Sequence, residues 1–186
     1  MPKKAFTTEQ IKTLREHYAK RELDTLLLHI GPDTLLRAGD LLQLNVGDVI
    51  RNGKALETVR VTQKKTGKKT LPMPLSELTR MKMEYWLWNV PPERPLLLSQ
   101  RRTISRISDR GLRKTIDKWC QVLGVRLDDY GVHSLRKALP TMIYQETRDI
   151  ESVRRLLGHQ NVTATSAYLG IDDTMALDLA REYQIV

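Results

Sequence analysis

The sequence has little that could build a covalent or metal-held scaffold. It contains one cysteine, Cys120, so no intrachain disulfide and no cysteine-based metal site can form. Cys120 shares an apolar helical face with Leu112, Ile116 and Leu123, and reads as a reduced core residue of a cytoplasmic protein. No apolar run approaches the length of a membrane span. The basic N-terminus, MPKKAFTTEQ, lacks the apolar stretch of a secretory signal. There is no internal repeat, no low-complexity segment, no carboxylate cluster and no Cys/His set, so neither metal nor other cofactor is expected. Negative charge is also scarce: 22 Asp and Glu stand against 31 Lys and Arg, a formal net charge of +9. That deficit favours a polyanionic partner, nucleic acid first, with a solvated basic surface as the plain alternative.

What is present is an ordinary globular composition. The 186 residues are 40% hydrophobic and 28% charged, enough for one sizeable domain with a real core. Thr7 and Gln10 have capping-box spacing and open a helix whose inner face is Ile11, Leu14 and Tyr18. The leucine-rich stretch RELDTLLLHI reads as a buried helix broken at Gly31-Pro32-Asp33, with His29 as a packed histidine. In TLLRAGDLLQL, Arg37 and Asp40 are three apart. They read either as a surface ion pair or, because their flanks are so apolar, as charges that need partners in a cleft.

From Val46 the period changes to alternation. Turn signals at Asn52-Gly53 and Thr66-Gly67 imply three short antiparallel strands, at about 46–51, 55–63 and 69–73. The second tip, QKKTGKK, carries Lys64, Lys65, Lys68 and Lys69. It reads as a solvated turn or as a finger toward a phosphate backbone. SELTRMKMEYWLWNV is helical, with Leu78, Met81, Tyr85 and Trp88 on its inner face. In SRISDRGLRKTIDKWCQVLG, Leu112, Ile116, Trp119 and Leu123 face inward. Arg106, Arg110, Arg113, Lys114 and Lys118 form a basic outer face that either meets DNA or is merely solvated.

The stretch from His133 to Tyr168 is the most informative. His133 and Arg136 share a helical face. Pro140 conflicts with the carbonyl of residue 136 unless it falls in the first turn of its helix. Ile150, Val153, Leu156 and Leu157 form the next helical stripe, which Gly158 ends. His159 follows, Asn161 is placed to cap a short helix, and Tyr168 lies near that helix's end. The tail, DDTMALDLAREYQIV, reads as a last helix. Taken singly, His159 is a helix-end capping residue and Tyr168 a packing residue.

Taken in order, the residues resemble the catalytic domain of the tyrosine recombinases, the phage integrase family. LLRAGDLLQL resembles the first box, with Arg37 as its arginine. QKKTGKK resembles the hairpin that carries the lysine; Lys65 matches best, with Lys64 adjacent. HSLRK supplies His133 and Arg136, and LLGHQNVTATSAYL supplies His159 and Tyr168. The resemblance implies a mainly α-helical α+β fold with a small three-stranded antiparallel sheet. Residues 1–186 would form a single catalytic domain lacking the N-terminal DNA clamp found in many relatives. It further implies site-specific, metal-independent strand cleavage through a 3′-phosphotyrosine at Tyr168. Arg37, Arg136 and His159 would hold the phosphate, His133 would assist the tyrosine, and Lys65 would act as general acid. Lys64, Lys68, Lys69, Arg106, Arg110, Arg113 and Lys114 would bind the backbone. The implied partners are double-stranded DNA, further copies of the chain in a synaptic tetramer, and a partner supplying the clamp. The competing reading is a non-catalytic DNA-binding regulator with the same fold.

Overall fold

The structure is a computed structural model that describes residues 3–99 and 105–172, with Thr174, Leu177, Asp178 and Arg181 of the tail. Helices dominate, and the strands are short, giving the expected mainly helical α+β architecture. α1 (Thr8–His17) opens with the capping box read from the sequence: Thr7 Oγ1 accepts from the Gln10 amide and Gln10 Oε1 from the Thr7 amide. α2 (Glu22–Thr34) is the central element, with Leu26, Leu27, Leu28 and Ile30 fully buried. It packs against α1, α4 (Glu77–Trp86) and α6 (Val132–Thr147).

α2 is not broken at Gly31-Pro32-Asp33 but runs to Thr34. Pro32 cannot donate to the Leu28 carbonyl. The Arg15 guanidinium from α1 bonds to that oxygen instead, at 2.9 and 3.2 Å. The lost helical bond is replaced, and the helix continues. Gly31 sits where α6 crosses: a Cβ there would overlap the Leu135 side chain. The helices can approach this closely only because residue 31 has none. α6 likewise runs through Pro140, which lies in its middle rather than its first turn.

The strands differ from the expected three-stranded sheet. A 3-10 turn occupies Val46–Asp48, and two separate two-stranded pieces follow. One pairs β1 (Ile50–Arg51) with β2 (Lys54–Ala55); the other pairs β3 (Thr58–Val59) with β4 (Met73–Pro74). A single bridge, Thr62 to Lys69, continues the second pair toward the lysine-rich tip. α4 is rotated relative to the expectation. Leu78, Met81, Tyr85 and Trp88 are exposed, while Thr79, Met83 and Leu87 are buried. Thr79 tolerates burial because its hydroxyl lies 2.9 Å from Ser76 Oγ and 3.5 Å from the His29 carbonyl.

α5 (Asp109–Leu123) buries Leu112, Ile116, Trp119 and Cys120, and Trp119 Nε1 donates to Asp24 at 2.7 Å. Arg106 is not on this helix. It precedes it, and its guanidinium bonds to the Leu42 and Leu44 carbonyls and to Asn45 Oδ1 at 2.6–2.9 Å. It fastens the segment after α3 (Ala38–Leu41), and its place on a basic DNA-facing helix is corrected accordingly. α7 (Ile150–Leu157) ends at Gly158 with φ +67°, and Asn161 caps α8 (Val162–Leu169) by accepting from the Ala164 amide at 2.8 Å. Of the expected tail helix, Thr174, Leu177, Asp178 and Arg181 are helical, and the remainder lies outside the described residues. Among the described residues no helix is long and apolar enough to cross a membrane.

His29 is buried in α2, and its Nδ1 has no hydrogen-bond partner. Burial, reinforced by Arg15 and Lys82, lowers its pKa from 6.5 to about 3. The unfolded chain therefore takes up a proton that the folded chain refuses, and stability falls as pH drops from 6.5 toward 3. His29→Leu should flatten this limb in chemical unfolding at stepped pH, by on the order of 3 kcal/mol at the acid end.

Candidate active site

The site forms where α2, α6 and α7 end or begin near one another. α2 stops because Leu35 takes a left-handed conformation, φ +52°. This turns the chain so that Arg37 precedes the single turn of α3. The Leu35 carbonyl accepts from Arg136 Nε at 2.7 Å, and the Leu157 carbonyl, at the end of α7, accepts from Nη2 at 3.0 Å. Arg136 is buried, yet these two bonds leave Nη1 uncommitted. Arg37 Nη1 is buried with no partner at all. Two guanidinium groups are thus held close together with donors to spare.

The tyrosine lies against them. The Arg136 guanidinium carbon is 5.7 Å from the centre of the Tyr168 ring, and Lys137 Nζ is 5.1 Å from it. The His159 ring meets Tyr168 edge-on, with centroids 5.3 Å apart. Tyr168 Oη is buried and unpartnered. Burial raises its pKa to about 12, although Arg136 and Arg37 pull the other way. Burial also lowers the pKa of His133 and of His159, helped by Arg136 and Arg37, so both imidazoles are neutral near neutral pH. His159 Nδ1 is 3.1 Å from Thr165 Oγ1, which fixes the ring plane. Arg154 donates to the His159 carbonyl at 2.7 Å and pairs with Glu151 at 2.6 Å.

The hairpin tip completes the arrangement. Arg37, Lys65, Lys68, Lys69 and His159 line one cleft of about 500 Å³. The tip is docked rather than free. Asp40, buried, accepts the Lys64 amide at 2.9 Å, and Gln63, also buried, hydrogen-bonds Thr66 at 2.8 Å. The partner demanded by a charge in an apolar stretch is therefore a main-chain N–H, not an Arg37 ion pair. Arg37, Lys65 and His159 share the cleft; Arg136, His159 and Tyr168 share ring contacts; His133 feels the charges of both arginines. Arg110, Lys114 and Arg106 line a separate small cavity of about 230 Å³, and Arg113 is exposed on the same helix. Among the described residues no group of three or more His, Cys, Asp or Glu side chains is placed to hold a metal ion. The sequence reading missed Arg155 and Gln63, which also line the cleft, and Lys137. The basic pair Arg154-Arg155 just before Gly158-His159 was a usable signal for the first; nothing in the sequence marks the depth of Gln63 or Lys137.

Residues 4–175 match the family model of the phage integrase family. The chain belongs to that family. It is 30% identical over 166 residues to "Probable integrase/recombinase YoeC" of Bacillus subtilis (strain 168), covering 89% of this chain and 87% of that protein. It is 28% identical over 158 residues to "Tyrosine recombinase XerC" of Thermodesulfovibrio yellowstonii, covering 80% of this chain but 50% of the relative. The chain thus spans about half the length of the XerC relatives it matches. The fold is that of tyrosine recombinase catalytic domains. The crystal structure of XerA recombinase superposes with a TM-score of 0.74 at 18% identity, covering 100% of this chain and 67% of that one. A lambda integrase dimer bound to a COC' core site gives 0.67 at 20%, covering 100% and 51%.

The two arginines should separate in unfolding experiments. Arg136→Ala removes the donors to two buried carbonyls and should cost about 3 kcal/mol in urea unfolding. Arg37→Ala relieves an unpartnered buried donor and should cost less than about 1 kcal/mol. Equal losses would contradict this division of labour.

Proposed function

We propose that the protein is a site-specific DNA recombinase that cuts and rejoins strands through a phosphotyrosine link at Tyr168. One observation carries the reading: buried Arg37 Nη1 and the buried hydroxyl of Tyr168 have no protein partner, and a cationic cleft is lined by Arg37 and by His159, whose ring meets Tyr168. Each unmet polar group costs roughly 1–3 kcal/mol, and a phosphodiester would satisfy them. Guanidinium forks match the non-bridging oxygens of phosphate.

In the proposed reaction Tyr168 Oη attacks the backbone phosphorus, forming the Tyr–O–P bond as the bond to the 5′ oxygen breaks. A tyrosine with a pKa near 12 is not ionised at neutral pH, so its proton must leave during attack. Neutral His133 is suited to receive or hydrogen-bond it. Arg37, Arg136 and His159 stabilise the transferring phosphoryl group, each on the order of 3 kcal/mol. Lys65, on the docked tip, protonates the leaving 5′ oxygen. The bond energy is kept in the phosphotyrosine, so religation needs no metal and no nucleotide. Lys64, Lys68, Lys69, Arg110, Arg113 and Lys114 contact the flanking backbone of double-stranded DNA, where they set affinity rather than sequence choice. The protein acts in the cytoplasm and assembles with further copies of itself on DNA, as a tetramer in synapsis.

Nicked duplexes drawn from the flanks of the protein's own gene provide the test. Wild type should leave a covalent protein–DNA band on a denaturing gel, and Tyr168→Phe none. Good native binding with no covalent band from wild type would instead favour a non-catalytic DNA-binding regulator.

A further inference from the structure

Lys137 follows Arg136 on α6 and is buried, an expensive place for an ammonium group. Burial alone lowers its pKa. Among the described residues, its ammonium makes one hydrogen bond and one ring contact. Nζ donates to the main-chain carbonyl of Lys3 at 2.8 Å, and it lies 5.1 Å from the centre of the Tyr168 ring. A cation at that distance from an aromatic ring attracts it. The ring needs such contacts, because Tyr168 Oη has no hydrogen bond to fix it. Among the described residues, the Tyr168 ring is held by Arg136, Lys137 and a T-shaped contact with His159.

The other end of the contact is also fixed. The Lys4 amide bonds to the Asp129 carbonyl at 2.8 Å, and the Phe6 amide to the Ser134 carbonyl at 3.2 Å. Phe6 stacks on Tyr130 with centroids 4.8 Å apart. Residues 3–6 therefore form a strap across the start of α6, and its first carbonyl holds the lysine that touches the nucleophile. Beside it lies a cavity of about 570 Å³ lined by Lys3, Lys137, Thr141 and Leu169, with room for the ammonium to swing off the ring.

We propose that Lys137 is a positioning residue for Tyr168, and that it couples the N-terminal strap to the nucleophile through the Lys3 carbonyl. This rests on the strand-cleaving reading above. Lys137 does not touch the phosphate; it sets where the tyrosine ring sits. A displaced strap frees the ammonium, loosens the ring and slows cleavage without weakening the grip on DNA.

The experiment compares Lys137→Met, Lys137→Arg and Lys4→Pro in the full chain. Adduct formation is timed on the same nicked duplexes at saturating DNA, beside the Kd for DNA and the thermal midpoint. Lys137→Met should form adduct about tenfold more slowly with Kd changed by no more than about twofold. Lys137→Arg, which keeps a cation for the ring, should recover most of the rate. Lys4→Pro removes the bond to Asp129 and should slow wild type but add nothing to Lys137→Met. A Lys137→Met rate equal to wild type, or an Arg variant as slow as the Met variant, overturns the positioning role. Slowing by Lys4→Pro that is equal in both backgrounds overturns the coupling; so does no slowing by Lys4→Pro in wild type, and that comparison holds even where Lys137→Met does not fold. Absence of adduct from wild type overturns the cleavage reading and this proposal with it.

Discussion

The guanidinium of Arg136 ties together three helices that the chain brings in from far apart. Its two bonds go to Leu35, which ends α2, and to Leu157, which ends α7. Both acceptors are carbonyls at helix C-termini, where the backbone concentrates partial negative charge. A buried cation is normally costly, but here the ends of two helices supply the counter-dipoles and α6 supplies the cation. The close approach at Gly31 and Leu135 brings α2 and α6 near enough for the bonds to form. Arg37, two residues beyond the left-handed Leu35, inherits its position from the same junction.

The electrostatics of the site are one-sided by construction. Arg37, Lys65, Lys68 and Lys69 line one cleft, Arg136 is close enough to feel Arg37, and the buried carboxylate nearby, Asp40, is committed to the Lys64 amide. Tyr168 shows which effect wins: two arginines favour its ionised form, yet burial keeps the hydroxyl protonated. The protein alone leaves the set unbalanced. A phosphate in the cleft would add the missing negative charge and the missing acceptors at once, which is what the proposed reaction asks of the site.

The parts legible in the sequence were those fixed by local chemistry. The Thr7 box, the Gly158 stop, the Asn161 cap and the packed His29 all follow from residues a few positions apart. The family was legible through the order of Arg37, Lys65, His133, Arg136, His159 and Tyr168. What failed depended on distant partners. Pro32 looked like a break because nothing nearby replaces its N–H; Arg15, from another helix, meets the Leu28 carbonyl it cannot reach. The larger apolar stripe of α4 looked inward, but the helix buries the smaller Thr79–Met83–Leu87 stripe against its neighbours and leaves Tyr85 and Trp88 outside. Arg106 looked like part of a basic face until three acceptors near residues 42–45 claimed it. Gln63 and Lys137 are buried by tertiary packing, which no local pattern announces.

Asp40 grips the hairpin by the peptide N–H of residue 64, not by its side chain. The anchor is therefore blind to which amino acid stands there. Nineteen of the twenty residue types carry that N–H, and only proline does not. The side chain at position 64 can therefore change without releasing the anchor that keeps Lys65 in the cleft. The main-chain grip thus separates what holds the turn in place from what its side chains present to the solvent.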